Sequence, residues 1–515
     1  MKKHIYVYFL SGIAALLFFS CEKMLDVTPE DRVTGNNFWK EKGQVESSIV
    51  GAYSRLQGCL DLFYAWGELR SEIVAINKFD NNRSSINQNS LSKDNGYCGW
   101  GDVYSTINQF NYVIDYAPMV RALDKSFTET ELDYFLGEAK TMRALCYFYL
   151  ARTFQTFPYI TVASKNDEQD YSHAGLPGTQ ALDSIVKDLL WAESRVRDNF
   201  DDVTFSNARL KICYEKGRVT KPLVWALLAD VYLTQDKYSQ ALEYVDKIIG
   251  SGRFSLAVDG EKWFDIFSLG NTSEGIFELQ FSREYNNAGD FLKWFSNQSS
   301  VGGETWYQLQ KTRSTQTCKY WQGSDYLNPR VDNRGAGGTY LAGLSNMIDN
   351  VFVWKWCGKK YNSDKSEDYR DGNTNDPNWI FYRLADVCLM KAEALNRLGR
   401  LDDAVGVLRE VRQRVGVRED IIYKDVVDLE NQILDERAAE LAFEGKRWFD
   451  LMRIARRQDN VEVISQRLTA ARYYTSTGSE GYYKAKVSDP LSWYFPIHKS
   501  EMDKNPNLVQ NPYYK

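Results

Sequence analysis

The fold is decided by two stretches with the same spacing, LADVYLTQDKYSQALEYV at residues 228–245 and MKAEALNRLGRLDDAVGVL at residues 390–408. In each stretch, apolar residues recur at helical intervals on both sides of a short polar turn, which is typical of two amphipathic helices. Each stretch also holds two alanines twelve residues apart, and such small side chains let two antiparallel helices pack closely. These alanines are Ala229, Ala241, Ala392 and Ala404. The sequence therefore predicts a mainly α-helical protein with at least two helical hairpins.

This spacing resembles the tetratricopeptide helix-turn-helix repeat, in which neighbouring hairpins stack on one another. Both stretches lack consensus positions such as the leading Trp-Leu-Gly, and an ordinary helical hairpin can look the same. Apolar periodicity predicts further helices over residues 138–154, 179–197, 429–443 and 448–455. Thr179 is a candidate N-cap, and Gly445 is expected to end the helix before it.

Two long regions show no helical periodicity. Residues 77–101 are rich in Asn, Ser and Gly, and residues 281–378 combine Gly, Asn and Asp with many aromatic residues. Loop regions of this length in a compact protein are usually functional or disordered, and the aromatic content argues against disorder. We expect a loop-rich irregular portion with a few short strands, such as residues 351–356, beside the helical scaffold.

Composition excludes several classes of protein. Among 515 residues the net charge is −6, whereas a nucleic-acid-binding protein normally presents a basic surface. The chain has only three histidines, and its eight cysteines are scattered without CxxC spacing. The sequence therefore predicts no histidine-centred catalytic site, no metal site and no cofactor.

The first residues, MKKHIYVYFLSGIAALLFFSC, form an export signal: two lysines, a short apolar block and the small Ser20 before Cys21. The block is too short to span a bilayer. A cysteine at this point resembles a bacterial lipoprotein signal, in which residues 1–20 are removed and Cys21 carries lipid. The alternative is an ordinary secretory signal cut near Ser20.

Blocks along nearly the whole chain resemble the SusD/RagB family of outer-membrane lipoproteins of Bacteroidetes. In chain order they are LDVTP at 25–29, FW at 38–39, GAY at 51–53, GELRSE at 67–72, GEAKTMRALCYF at 137–148, GRVTK at 217–221, RLAD at 383–386, ERAAEL at 436–441, GKRWFD at 445–450, FPI at 495–497 and NPNLVQNP at 505–512. The chain departs from the pattern at QTFP 155–158, where Gly-Asp-x-Pro is common, and at His498, where a second proline is usual.

The resemblance implies a single SusD-like domain over residues 21–515 on a tetratricopeptide-like scaffold. It implies a lipid-anchored protein on the cell surface that captures glycans and delivers them to a partner, a SusC-like TonB-dependent transporter in the outer membrane. Two alternatives remain: a RagB-like subunit that captures peptides, and an extracellular hydrolase.

A glycan site needs flat aromatic faces framed by polar side chains. We expect it in the two loop regions, approximately residues 77–101 and 281–378. The candidate contacts are Asn82, Arg83, Trp306, Tyr307, Tyr320 and Trp321. Each Trp or Tyr has the alternative role of anchoring its loop on the core.

Carboxylates at helical spacing, Glu436, Glu440 and Glu444, allow two interpretations. Paired carboxylates are used in glycoside hydrolysis. Charge pairs on a helix surface, with Arg437 among them, are the commoner explanation of this spacing. The sequence therefore favours a structural role and predicts no catalytic residue.

Cys21→Ala should abolish lipid attachment, so the protein should move from the membrane fraction to the soluble fraction of fractionated cells. Ser20 remains in place for an ordinary signal peptidase. A variant that stays on the cell surface in unchanged amount would contradict the lipoprotein assignment.

Overall fold

The protein is mainly helical, as predicted. The computed structural model describes residues 38–165, 169, 171–285, 287, 289–310, 321, 332–341, 352–362, 367–472 and 480–515. The helices are α1 Lys42–Gly58, α2 Leu60–Gly67, α3 Asn81–Asn87, α4 Gly101–Leu123, α5 Glu129–Thr153, α6 Gly178–Glu193, α7 Ala208–Gly217, α8 Lys221–Thr234, α9 Tyr238–Gly250, α10 Gly260–Ser268, α11 Leu292–Phe295, α12 Trp354–Cys357, α13 Leu384–Arg397, α14 Leu401–Gln413, α15 Val426–Leu441, α16 Arg447–Arg457, α17 Glu462–Arg472, α18 Glu480–Val487 and α19 Lys499–Lys504. The strands are β1 Val74–Ile76, β2 Thr156–Phe157, β3 Leu176–Pro177, β4 Gly275–Leu279, β5 Tyr307–Leu309 and β6 Trp379–Arg383.

Both predicted hairpins are confirmed, as α8 with α9 and α13 with α14. All four alanines are fully buried between the helices. The backbone reverses at Asp236 and Gly399, both with positive φ, which ends the first helix of each pair. Helix α9 packs against α13, so the two hairpins stack as neighbouring repeats do.

Longer helices continue this scaffold on its N-terminal side, where α1 packs on α4, α4 on α5, α5 on α6 and α6 on α8. The helix predicted over residues 138–154 is the second half of α5, which begins earlier because Thr128 and Glu131 form a capping box. Among the described residues, no helix is long and apolar enough to cross a bilayer.

The strands pair two at a time, β1 with β5, β2 with β3 and β4 with β6, each antiparallel. The strand predicted at residues 351–356 was wrong in its described part, because residues 354–357 form the short helix α12. Trp354, Lys355 and Trp356 are all fully buried. A strand would send Lys355 to the opposite face from the two tryptophans, whereas the helical turn lets all three side chains reach the interior.

A buried group of charges lies where the loop-rich portion meets the second hairpin. We call it the central ionic cluster, and its members are Glu274, Asp332, Arg334, Lys355, Arg383, Arg414, Glu436, Glu440 and Glu444. They come from the start of β4, the segment 332–341, α12, the end of β6, the end of α14, and α15 with the turn after it. The cluster therefore ties together segments that are far apart in sequence.

Glu440 is the centre of this cluster and is fully buried. Its Oε1 accepts hydrogen bonds from Nη1 of Arg383 at 2.6 Å, Nη2 of Arg414 at 2.5 Å and Nε1 of Trp263 at 2.9 Å. Its Oε2 accepts from Nη1 of Arg334 at 2.8 Å. Burial opposes ionisation, but the three guanidinium groups outweigh it and hold the pKa of Glu440 well below its ordinary value.

These contacts confirm the structural interpretation of Glu436, Glu440 and Glu444 and correct its geometry. The predicted partners were neighbours on a helix surface, but the actual partners of these buried carboxylates come from distant segments. Arg437 binds Asp386 and Asp450 instead. Periodicity along one helix could not reveal partners that lie elsewhere in the chain.

Glu440→Gln should lower the free energy of unfolding by about 3–5 kcal/mol, because it leaves buried arginines without their shared counter-charge. Denaturation in urea would measure this loss. Glu243→Gln is the matched control: that side chain is largely exposed and, among the described residues, pairs only with Lys247 one turn away, so its loss should stay below about 1 kcal/mol. Equal effects of the two substitutions would contradict the central role of Glu440.

The pKa of Asp386 predicts that the free energy of unfolding depends on pH. Burial opposes its ionisation, but Lys446 and Arg437 lower its pKa to about 2. A lowered pKa in the folded state contributes stability above the unfolded value near 4, and that contribution is lost as the pH falls toward 2. The loss corresponds to about 2 kcal/mol. Asp386→Asn should therefore flatten the fall in unfolding free energy between pH 5 and pH 3, measured by urea denaturation, and an unchanged slope would contradict this assignment.

Candidate functional site

The two irregular regions predicted to bind ligand meet at one place. Strand β1 pairs with β5, with Val74 opposite Leu309 and Ile76 opposite Tyr307. Just beyond the strands, the backbone N–H of Asn77 donates to the carbonyl oxygen of Trp306 at 2.9 Å. The start of the first loop region therefore lies directly against residues 304–306 of the second.

Arg83 lies on the ring of Trp306, with its guanidinium carbon 3.4 Å from the ring centroid. This is a close cation–π contact between the two predicted loops. The sequence DNNRSSIN forms the start of helix α3, and this helix holds Arg83 in place. The Asp80 side chain caps α3 by accepting a hydrogen bond from the backbone N–H of Arg83 at 2.8 Å.

A chain of hydrogen bonds fixes the guanidinium from the other direction. Nε of Arg83 donates to the hydroxyl of Tyr97 at 2.8 Å, and that hydroxyl donates to Oδ2 of Asp61 at 2.9 Å. Burial raises the pKa of Asp61, and the hydrogen bond from Tyr97 and the charge of Arg83 oppose this only in part. Asp61 therefore places a partly buried acceptor from α2 next to the cation.

A cleft of about 350 Å³ opens beside Trp306. Its lining includes Asp61, Lys293, Trp294 and Trp306. The rings of Trp294 and Trp306 are almost parallel, at 15°, with centroids 6.4 Å apart. The indole N–H of Trp306 donates to Glu304 at 2.6 Å, and Glu304 also pairs with Lys78. The cleft thus combines indole surface with carboxylate and ammonium groups, and the guanidinium of Arg83 lies on the ring of Trp306, which lines it.

Phe79 is an exposed aromatic residue beside this group that sequence reasoning missed. It is 78% exposed and lies between Lys78, which reaches Glu304, and Asp80, which caps α3. The available signal was a single phenylalanine in a polar loop, which is also a common surface feature. Asp61, Tyr97 and Lys293 were missed as contacts because only the folded chain brings them to Arg83 and Trp306.

The structure brings together three of the predicted contacts. Arg83 and Trp306 are stacked, and Asn82 precedes Arg83 on α3, with its Oδ1 accepting the N–H of Gly96 at 3.4 Å. Tyr320 lies outside the described residues, as does Cys21.

Two predicted contacts need correction. Tyr307 and Trp321 are fully buried, so neither ring presents a face to a ligand. Tyr307 packs against Tyr64 with ring centroids 5.0 Å apart, and Trp321 packs against Tyr340 at 5.8 Å. Both rings anchor their segments on the core, which is the alternative role stated for every loop aromatic.

The chemistry of the site is that of binding. Flat ring faces, a guanidinium and carboxylates can hold a ligand that carries both apolar faces and hydroxyl or amide groups. Glu440, one of the carboxylates considered for catalysis, is fully buried and held by three arginines, so it is not accessible to a substrate. Among the described residues, no group of His, Cys, Asp and Glu side chains is arranged to hold a metal ion.

Comparison with known proteins gives one consistent result. A sequence profile of the SusD family matches residues 283–514, and a second profile, described as starch-binding and associating with the outer membrane, matches residues 23–233. SusD-like protein P38 of Formosa agariphila is 25% identical, with 99% of each chain covered. The starch-binding protein SusD of Bacteroides thetaiotaomicron is 22% identical, with 96% of each chain covered.

Solved structures share the fold. A SusD superfamily protein from Bacteroides thetaiotaomicron superposes with a TM-score of 0.73 at 20% identity, covering 93% of this chain and 99% of that one. The B. fragilis protein NanU superposes with a TM-score of 0.68 at 20% identity, covering 95% of this chain and all of the other.

Proposed function

The chain belongs to the SusD/RagB family, and from this premise we propose that it is a cell-surface lipoprotein that captures glycans at the Arg83–Trp306 site. In this proposal it delivers the bound oligosaccharide or polysaccharide to a SusC-like TonB-dependent transporter. Family membership supports glycan binding and association with the outer membrane. Lipid on Cys21 and the partner transporter are the finer parts of the proposal.

The contact of Arg83 with Trp306 is the observation that carries the proposed site. Sugar rings present apolar C–H faces to aromatic rings and hydroxyl groups to polar side chains. Trp306 and the exposed Phe79 supply the aromatic surfaces, while Arg83, Asn82 and Asp61 supply donors and acceptors beside them. The cleft of about 350 Å³ falls in the usual size range of ligand sites.

The same residues suggest how binding begins. Arg83 covers one face of Trp306, at 3.4 Å from the ring centroid. A sugar that stacks on that face displaces the guanidinium toward Asp61, which lies 3.9 Å from its Nη2. We therefore expect Arg83 to exchange a contact with the ring for hydrogen bonds to ligand hydroxyls. Tyr320 remains a predicted contact.

The alternatives differ in what they bind or turn over. A RagB-like protein captures peptides, and a hydrolase cleaves its polysaccharide. Screening the purified mature chain against glycan and peptide arrays distinguishes glycan capture from peptide capture. Binding to peptides alone would contradict the glycan proposal. Release of reducing ends from a bound polysaccharide would contradict a purely binding role.

Once a glycan is found, Trp306→Ala, Arg83→Ala and Phe79→Ala should each weaken its affinity at least tenfold, or about 1.4 kcal/mol, because each removes a ring face or a hydrogen-bond donor. Isothermal titration calorimetry measures the change. Phe79→Ala is the cleanest variant, since so exposed a side chain contributes little to folding.

A matched pair elsewhere in the chain provides the control. Arg195 lies over the ring of Trp191 at 4.2 Å, at the end of α6 in the helical scaffold. Removing either of these side chains eliminates the same kind of contact far from the loops in sequence, and it should leave glycan affinity unchanged. Equal losses in both pairs would show that the effect is general destabilisation rather than loss of ligand contacts.

A further inference from the structure

A second cavity, of about 290 Å³, lies between the start of α4, the segment after β2 and the C-terminal tail that includes α19. None of its lining residues lines the cleft beside Trp306. Its walls are mainly aromatic and aliphatic and include Trp100, Tyr104, Ile160 and Leu508. Such walls favour a ligand with a bulky apolar part.

Two amide side chains in the walls have their acceptor oxygens engaged, and one hydroxyl has its proton engaged. Oδ1 of Asn108 accepts the N–H of Ser164 at 2.7 Å, and Oδ1 of Asn505 accepts the N–H of Asn507 at 3.0 Å. The hydroxyl of Tyr104 donates to the carbonyl oxygen of Pro158 at 2.5 Å.

Donors, by contrast, remain available. Trp100 lines the cavity and is only 3% exposed, and its indole N–H donates to no other residue in the part of the chain that the structure describes. The half-buried Asn108 likewise donates its amide N–H groups to no described residue. Helix α4 begins at Gly101 in the cavity wall, and no described side chain caps its first backbone N–H groups. These donors lie together at the start of α4 and select a ligand with a strong acceptor, for which a carboxylate fits best.

The lining also includes two side chains of opposite charge. Glu501 and Lys504 both belong to α19 and both border the cavity. Glu501 is half-buried and Lys504 is exposed, and neither forms an ion pair within 4 Å with any described residue. A ligand that carries only a carboxylate would meet the negative charge of Glu501 unfavourably. A ligand that also carries an ammonium group would satisfy it.

From these groups we infer a second binding site, which takes a zwitterionic α-amino acid with a bulky apolar side chain. The carboxylate receives hydrogen bonds from Trp100, Asn108 and the start of α4, with Lys504 nearby. The ammonium group pairs with Glu501, and the side chain fills the apolar part of the cavity. This site is independent of the proposed glycan function.

The test is calorimetric titration of the full mature chain with L-phenylalanine and L-leucine. Phenylacetate, which lacks the ammonium group, and 2-phenylethylamine, which lacks the carboxylate, are the matched probes. We expect saturable one-to-one binding of the amino acids and at least fivefold weaker binding of both probes. Failure of both amino acids to bind at concentrations up to about 10 mM would overturn the inference.

Two variants locate the site. Glu501→Gln should lower the affinity for L-phenylalanine at least threefold and should leave the affinity for phenylacetate unchanged or raise it. Asp503→Asn on the same helix should change neither affinity, since Asp503 does not line the cavity. Trp100→Phe keeps an aromatic ring but removes the N–H, and it should lower the affinity for both L-phenylalanine and phenylacetate. Amino-acid binding that survives Glu501→Gln and Trp100→Phe unchanged would place the ligand elsewhere and refute the inferred site.

Discussion

The arrangement of the molecule depends on one buried carboxylate, Glu440, and the three arginines that share it. Arg334, Arg383 and Arg414 come from a loop segment, a strand end and a helix end, so this single residue fixes three parts of the chain relative to α15. Buried charges cost desolvation free energy, and that cost is offset only when every partner is present with good geometry. Folding of the loop-rich portion is therefore coupled to completion of the helical scaffold.

This coupling explains how long irregular regions can carry a defined site. Aromatic residues of the second region join the main core, where Trp356 stacks on Trp379 of β6 at 5.3 Å and Phe291 contacts both rings. The pairing of β1 with β5 brings the first region to the second, and Arg83 lies on Trp306. Most of the described tryptophans in the loop regions thus hold the loops, whereas Phe79 is exposed and is left for ligand in the proposed function. The proposed glycan site therefore depends on buried aromatic residues that fix the loops and on exposed ones that can contact a ligand.

The sequence predicted the features that are local or periodic. The paired alanines identified both hairpins because small residues at a fixed interval have a direct packing meaning. The placement of Arg83 and Trp306 in one site followed from composition and family resemblance, although the contact between them was not foreseen. Features that depend on distant partners could not be read in this way. Tyr307 and Trp321 have the same local character as Trp306, and only the fold shows that they are buried. Lys355 likewise occupies a helical turn where a strand was predicted, and its counter-charge Glu444 lies far along the chain, where the local sequence could not indicate it.

In the proposed function, Arg83, Trp306 and Phe79 form one glycan-binding surface on loops that pack against the scaffold held by Glu440. A crystal structure of the mature chain with a bound oligosaccharide, chosen by array screening, is the decisive test. We expect a sugar ring in van der Waals contact with Trp306 or Phe79 and a hydroxyl group hydrogen-bonded to Arg83. A sugar bound only elsewhere, with the guanidinium of Arg83 still stacked on Trp306, would contradict it.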